Sequence, residues 1–156
     1  MKVKEFLDKS GVKYELTHHV PAHSAQKVAA HEHEKGRYVA KPVIVMVDEK
    51  PVMCVLAAPH RVVMDKLREH FDTDKLRLAE EDEIRQLFPD CDDGAEPPLG
   101  NLYGLRTLMD EWLLSDDHIV FQAGKADAAV HMSMDDFREV AKPDIVDFAW
   151  HKSRQL

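Results

Sequence analysis

Apolar and polar positions along the chain fall into short, bounded runs. Val3, Phe6 and Leu7 have helical spacing, and Gly11 follows as a plausible stop. Val12, Tyr14 and Leu16 alternate with polar residues and predict a strand. After the loop PAHS, Ser24 is placed to cap a helix over AQKVAAHEHEK, ended by Gly36. Two apolar runs follow, 37–47 and 52–58, joined by DEKP, and predict a hairpin with a short turn. Helical spacing returns in VVMDKLREHF, and KLRLA predicts a short strand. EEDEIRQLF predicts a helix with acids in its first turn, where the helix dipole favours them, ended by Pro89. Residues 89–101 read as a long loop, followed by strands at 103–109, 118–123 and 128–132. SMDDFREVA predicts a last helix, capped by Ser133 and closed by Pro143. In the tail, Phe148 and Trp150 are expected to dock on the body while the final residues fray.

Hairpin-linked strands dominate this order, so a doubly wound parallel sheet fits badly. The expected fold class is α/β of the α+β type: a twisted, mixed, partly closed sheet or barrel flanked by helices. A chain of 156 residues is expected to form one domain, 1–156, with a real core.

Composition narrows the function. No apolar run approaches the ~20 residues of a membrane span. The charged N-terminus does not read as a signal peptide. Only two cysteines are present, which favours a reduced, cytoplasmic setting. The formal charge of −8 argues against a broad basic face for duplex DNA. It leaves room for a few placed cations holding one nucleic-acid end.

Candidate chemistry is sparse. Five of the ten histidines crowd the first quarter, at His18, His19, His23, His31 and His33. HEHEK is not the zinc-enzyme pattern, because His31 and His33 fall on different helix faces. A metal site there stays an open alternative to a polar surface. Cys54 is mid-strand and Cys91 lies in an acidic loop, so neither reads as a nucleophile. No nucleophile elbow, phosphate-cradling loop or dinucleotide fingerprint is present.

Two features remain. Lys41 places an ammonium at the mouth of the apolar run RYVAKPVIVMV, directly before Pro42. Proline disfavours the α region for the residue before it, so Lys41 is expected extended where the sheet opens, its charge aimed into a cleft. The second feature is the loop GAEPPLG. Gly94 permits conformations closed to other residues, and Pro97 and Pro98 stiffen the end of the loop. Such a loop can present backbone N–H groups to an oxygen-rich ligand.

Together and in this order, these features resemble the YbaK family of aminoacyl-tRNA deacylases, related to the editing domain inserted in bacterial prolyl-tRNA synthetases. The resemblance runs through HSAQKVA, GRYVAKPVIVMVDEKPVMCVLAAPHRV, LRLAEEDEIRQLFPDCDDGAEPPLGNLYGL, DEWLLSDDHIVFQAG, HMSMDDF and AKPDIVDFA. It implies hydrolysis, without metal or cofactor, of the ester joining a wrong amino acid to the 3′ end of a tRNA. It implies aminoacyl-tRNA as partner, with a synthetase as a further one.

The family lysine matches Lys41, expected to orient the terminal nucleotide. The family's Gly-x-x-Pro loop matches Gly94, Ala95, Glu96 and Pro97, expected to bind the ester carbonyl and amino acid through backbone N–H groups. Pro42, Arg61 and Gly124 are further candidates for substrate contact. Two departures stand out. Pro42 replaces a hydroxyl or amide side chain, and Gly124 is followed by Lys125 and Ala126 where many relatives carry a histidine. They leave an alternative: a non-catalytic module that binds a tRNA end, a nucleotide or a protein.

Overall fold

The computed structural model describes residues 1–151. Helix α1 spans Lys2–Ser10, strand β1 Tyr14–His18, α2 Ala25–His31, β2 Ala40–Val47, β3 Lys50–Ala57, β4 Arg61–Val62 and α3 Met64–Phe71. Then come β5 Leu76–Leu78, α4 Glu81–Leu87, β6 Arg106–Asp110, β7 His118–Gln122, β8 Ala128–Ser133, α5 Met134–Ala141, β9 Asp144–Val146 and β10 Ala149–Trp150.

The central sheet has the order β5-β2-β3-β6-β9. Strand β2 is antiparallel to β3 and β5, while β6 runs parallel to β3 and β9. A second, antiparallel sheet has the order β1-β8-β7, and β10 pairs with β4. The mixed sheet agrees with the expectation from sequence, but the barrel does not form. The two larger sheets meet through a single parallel bridge, Val39 to Val120, instead of a ladder. Each therefore stays open.

The alternation of β2 and β3 fills both faces of the central sheet. Ile44, Met53, Val55 and Ala57 face a core shared with Leu7, Phe121 and Phe137. Val45, Val52, Cys54 and Leu56 face a second core closed by Leu67 and Phe148. A third, small cluster of Val28, Val39, Ala58 and Val120 packs α2 where the two sheets meet. Burial on both faces explains why 43–47 and 52–58 read as continuous apolar runs.

The hairpin is tighter than DEKP suggests. Val47 pairs with Lys50, leaving only Asp48 and Glu49 in the turn, with φ of 48° and 65°. Left-handed residues at both positions are what a two-residue hairpin demands. Side chains hold the turn in place: Thr73 donates to Asp48 at 2.8 Å, and Arg77 donates to Glu49 at 2.8 and 3.2 Å. The proline of the predicted turn, Pro51, lies inside β3 opposite Met46.

Other boundaries also shift. Helix α2 stops at His31, not at Gly36. The Glu34 N–H turns back to the Ala29 carbonyl, and His33 is left-handed at φ 56°. Glu32 and Glu34 are drawn instead to His131 and His118, at 2.7 and 2.9 Å. Residues 36–38 form a 3-10 turn, so β2 begins three residues later than its apolar run. Likewise a 3-10 turn at Gly100–Tyr103 precedes β6.

The tail docks as expected. Phe148 is fully buried, and the buried Asp110 accepts the Phe148 and Ala149 N–H groups, both at 3.0 Å. The expectation of fraying falls on residues outside the described ones. Among the described residues, no helix is long and apolar enough to cross a membrane.

Candidate active site

The site lies at the seam between the two sheets. Lys41 is the second residue of β2, paired with Leu56. The Ala58 N–H donates to Val39, which fixes the alternation of the β2–β3 ladder. Even-numbered residues of β2 therefore turn their N–H and C=O away from β3, and Ile44 accordingly accepts the Ala79 N–H on that side. Pro42 shares this parity, and β5 reaches only as far as Val45. Its missing N–H thus removes no ladder bond. The strand opens at this point, and a cavity of about 220 Å³ occupies the opening.

Four separate segments line that cavity: Ser24 and Gln26 at the start of α2, Val39–Pro42, Gly94 and Glu96 of the loop, and Gln122 at the end of β7. Lys41 is half-buried, and its Nζ donates to the Ala58 carbonyl at 2.8 Å. Gln26 Nε2 donates to the same carbonyl at 3.1 Å. Among the described residues, no carboxylate pairs with Lys41. Burial alone therefore acts on the ammonium and pushes its pKa below the ordinary lysine value. Two of its three N–H donors remain for a ligand.

The loop lies backbone against backbone on His23, just ahead of α2. Gly94 has φ +79°, and a Cβ there would lie 2.6 Å from the His23 carbonyl oxygen. Neither the conformation nor the space admits a side chain. Within the loop, Ala95 donates to Asp92 at 3.0 Å, and Gly94 donates to Glu96 Oε1 at 3.3 Å. The Ala95 N–H is thus spent inside the loop. The Gly94 N–H faces a side chain that a ligand can displace.

Glu96 is half-buried and its carboxyl pKa is raised. Burial is the main cause and Asp93 adds to it, against the backbone N–H groups of Glu96 and Gly94. Ala95 and Pro97 are buried under the loop and build it instead of lining the cavity.

The remaining candidates sit elsewhere. Gly124, at φ +93°, donates to the Ala95 carbonyl at 2.9 Å and accepts from Asp92 at 2.9 Å. It latches the loop to the end of β7 from behind, bordering a separate cavity with Lys2, Tyr103 and Lys125. Ala126 occupies the position of the absent histidine. It is buried, and its N–H donates to Asp92 Oδ2 at 2.9 Å. Arg61 is exposed on β4 and lies over the Trp150 ring, 4.5 Å from its centroid, outside the lining of the Lys41 cavity.

Sequence reasoning did not single out Gln122 or Gln26. Gln122 is buried and donates to the Ala22 carbonyl at 2.8 Å. The available signal was a lone amide at the end of an apolar strand.

The histidines belong to other networks. His131 pairs with Glu32, which also accepts from the Thr17 hydroxyl. Burial would raise the Glu32 pKa, but the Thr17 and His131 bonds outweigh it and hold the carboxyl low. Burial opposes charge on His118 too, yet its bonds to Asp117 and Glu34 raise its pKa. Among the described residues, no group of three or more His, Cys, Asp or Glu side chains could hold a metal ion. Burial pushes the Cys54 thiol up to about 12 and the Cys91 thiol up to about 11, so both are protonated near neutrality.

Fold and cleft together define a small mixed α/β fold with a half-buried lysine at a strand mouth, bonded to the Ala58 carbonyl. The chain belongs to the aminoacyl-tRNA editing domain family, whose model matches residues 19–140, a span that contains every residue of the cavity. It is similar to the Multifunctional Ser/Thr-tRNA deacylase ProXp-y of Escherichia coli (strain K12), with 31% identity over 98 residues. That match covers 62% of this chain and 58% of the relative, so the chain spans less than two thirds of the relative's length.

Two crystal structures share the fold. One, of a hypothetical protein APE2540, has a TM-score of 0.86 at 20% identity, covering 96% of this chain and 100% of that one. The other, of a candidate trans-editing enzyme for prolyl-tRNA synthetase, has a TM-score of 0.81 at 19% identity, covering 96% of both chains.

Proposed function

We propose that the protein is a trans-acting aminoacyl-tRNA deacylase, working in the cytoplasm as a single editing domain. Its substrates are tRNAs mischarged with a small amino acid such as Ala, Ser or Cys, with tRNA for proline as the leading acceptor and prolyl-tRNA synthetase as the associated enzyme. The observation that carries this reading is Lys41: a half-buried ammonium with no carboxylate partner among the described residues, lining one cavity with Gly94 and Glu96 of the loop. Family membership and the activities named for the relatives support it.

In this mechanism Lys41 holds a phosphate of the terminal nucleotide as a compact point charge. A single desolvated contact of this kind positions the 3′ end without a basic surface, which suits a chain of net charge −8. Water adds to the ester carbonyl, and the Gly94 N–H stabilises the oxyanion that forms. The carbon–oxygen bond to the ribose then breaks, and the ribose oxygen takes a proton. Free amino acid and uncharged tRNA are the products. The substrate's own ribose hydroxyl assists the water, so the cavity needs no protein triad. Catalysis rests on positioning and electrostatics.

The test is a panel of Ala-, Ser- and Cys-charged tRNAs incubated with the purified protein and with Lys41→Ala. Hydrolysis of at least one substrate by the wild type, much reduced in the variant, is expected. No hydrolysis of any substrate, or equal rates for the two proteins, overturns the reading. Binding of tRNA without turnover would assign the chain to the non-catalytic module instead.

A further inference from the structure

Glu96 is a half-buried carboxyl group that meets no counter-ion among the described residues. Its carboxylate accepts the backbone N–H of Gly94, and no Lys, Arg or His of the described residues pairs with it. The nearby cation, Arg85, is engaged with Glu81, Asp82 and Asp93. Glu96 lines the Lys41 cavity, and it also walls an adjoining hollow of about 270 Å³ whose other sides include Pro42, Ile44, Ala79 and Ile84. A desolvated carboxylate between a polar cavity and an apolar hollow costs free energy unless a ligand brings the missing cation.

Resting on the deacylase reading, we propose that Glu96 binds the α-ammonium of the aminoacyl group, so that the protein reads a free amino group on its substrate. The cavity is bipolar, with an ammonium at Lys41 and a carboxylate at Glu96. An aminoacyl ester on a nucleotide is bipolar in the same sense, with its phosphate at one end and its α-ammonium at the other. Placed at Glu96, the α-carbon directs its side chain past Pro42 into the apolar hollow, which suits a small side chain.

The contact also controls the oxyanion site. Glu96 Oε1 covers the Gly94 N–H through a long bond of 3.3 Å. An ammonium competes for that carboxylate and draws it aside. The N–H is then released to the ester carbonyl, which is bonded directly to the α-carbon. A substrate whose nitrogen is acylated brings no cation and leaves the N–H covered.

The experiment uses whichever aminoacyl-tRNA of the panel is hydrolysed fastest, together with its N-acetyl derivative. Each rate is divided by the spontaneous hydrolysis rate of the same ester, because acetylation alone changes ester lability. Wild type is expected to prefer the free amine by about 100-fold, the order of one desolvated charged contact. Glu96→Gln is expected to lose about 10-fold on the free amine and to keep only a few-fold preference. Thermal melting checks that the variant is folded, and if it is not, the wild-type pair of substrates decides alone. Equal normalised rates for the two esters with wild type, or an intact preference in a folded Glu96→Gln, overturns the proposal. Absence of hydrolysis of any free aminoacyl-tRNA overturns the deacylase reading itself, and this proposal with it.

Discussion

The two ends of strand β2 carry cations in opposite circumstances. Beside the turn at one end, Arg77 of β5 forks between Glu49 and Glu83, with contacts of 2.8 and 2.7 Å. Bonds from Glu83 and Glu49 raise the Arg77 pKa, and bonds from Arg77 and the Glu80 backbone lower the Glu83 carboxyl to about 2. At the other end Lys41, among the described residues, bonds to the Ala58 carbonyl and to no carboxylate, and burial lowers its pKa. One cation is satisfied within the protein and fastens a turn. The other, among the described residues, meets no carboxylate, and the proposed function gives it a phosphate of the substrate. A charge that the fold buries and does not pair marks a functional position more clearly than the number of charges does.

The largest expected effect comes from removing the unpaired cation. Lys41→Met should lower kcat/KM for deacylation by about 10- to 100-fold, the range of one hydrogen-bonded charge. Its Tm should hold or rise, because the desolvated ammonium is replaced by an apolar chain of similar length. A Tm that falls sharply would put Lys41 with Arg77 as a structural cation and erase the contrast.

Next comes the loop. Gly94→Ala should lower activity by about tenfold or more and cost about 1–2 kcal/mol for its left-handed backbone, before any clash with His23. Deacylation and denaturant unfolding measure the two losses. Wild-type activity in this variant would show that the loop does not need its present approach to His23.

The pH dependence sharpens the comparison. Lys41 has a lowered pKa, so its charge is lost as pH rises through a value below that of a free lysine. KM for charged tRNA should therefore begin to climb on the alkaline side at a lower pH than an ordinary lysine would give, after correction for spontaneous ester hydrolysis. The signs at the other end are reversed. Glu83 has a depressed pKa, so its contribution to stability is present above the ordinary carboxyl range and is lost as pH falls toward about 2. Melting curves between pH 2 and 5 should show that loss in wild type and not in Glu83→Gln.

The smallest effect is expected from Arg77→Met. The pair network is solvent-screened. A small fall in Tm with unchanged kcat/KM is the expected outcome.

Sequence patterns reveal the ends of β2 better than its surroundings. The apolar runs of β2 and β3 were legible because both faces are buried. Lys41 was legible because a charge followed by proline interrupts one of them. The turn read as four residues because Pro51 looks like a turn residue, yet its position opposite Met46 lets it stay in the strand. Strand β6 was legible within 103–109, but the short β9 and the parallel pairing of both strands left no signal, since their partners are distant in sequence. Gly94 showed in its loop composition, but its need for a bare α-carbon comes from His23, far away along the chain. Gln122 is visible only once Ala22 is seen to need a donor. Gly124 latches the loop from behind and Arg61 lies over Trp150, positions that residue order along the chain does not reveal.

The lone bridge from Val39 to Val120 has a consequence for how the molecule comes into being. The hairpin of β2 and β3 closes on its own short turn, and such local closures form within microseconds. The cleft needs four distant stretches of chain to meet at that seam, and contacts of high sequence separation form slowly. During refolding, then, the hairpin is expected to precede the cleft, with the contacts at the seam made last.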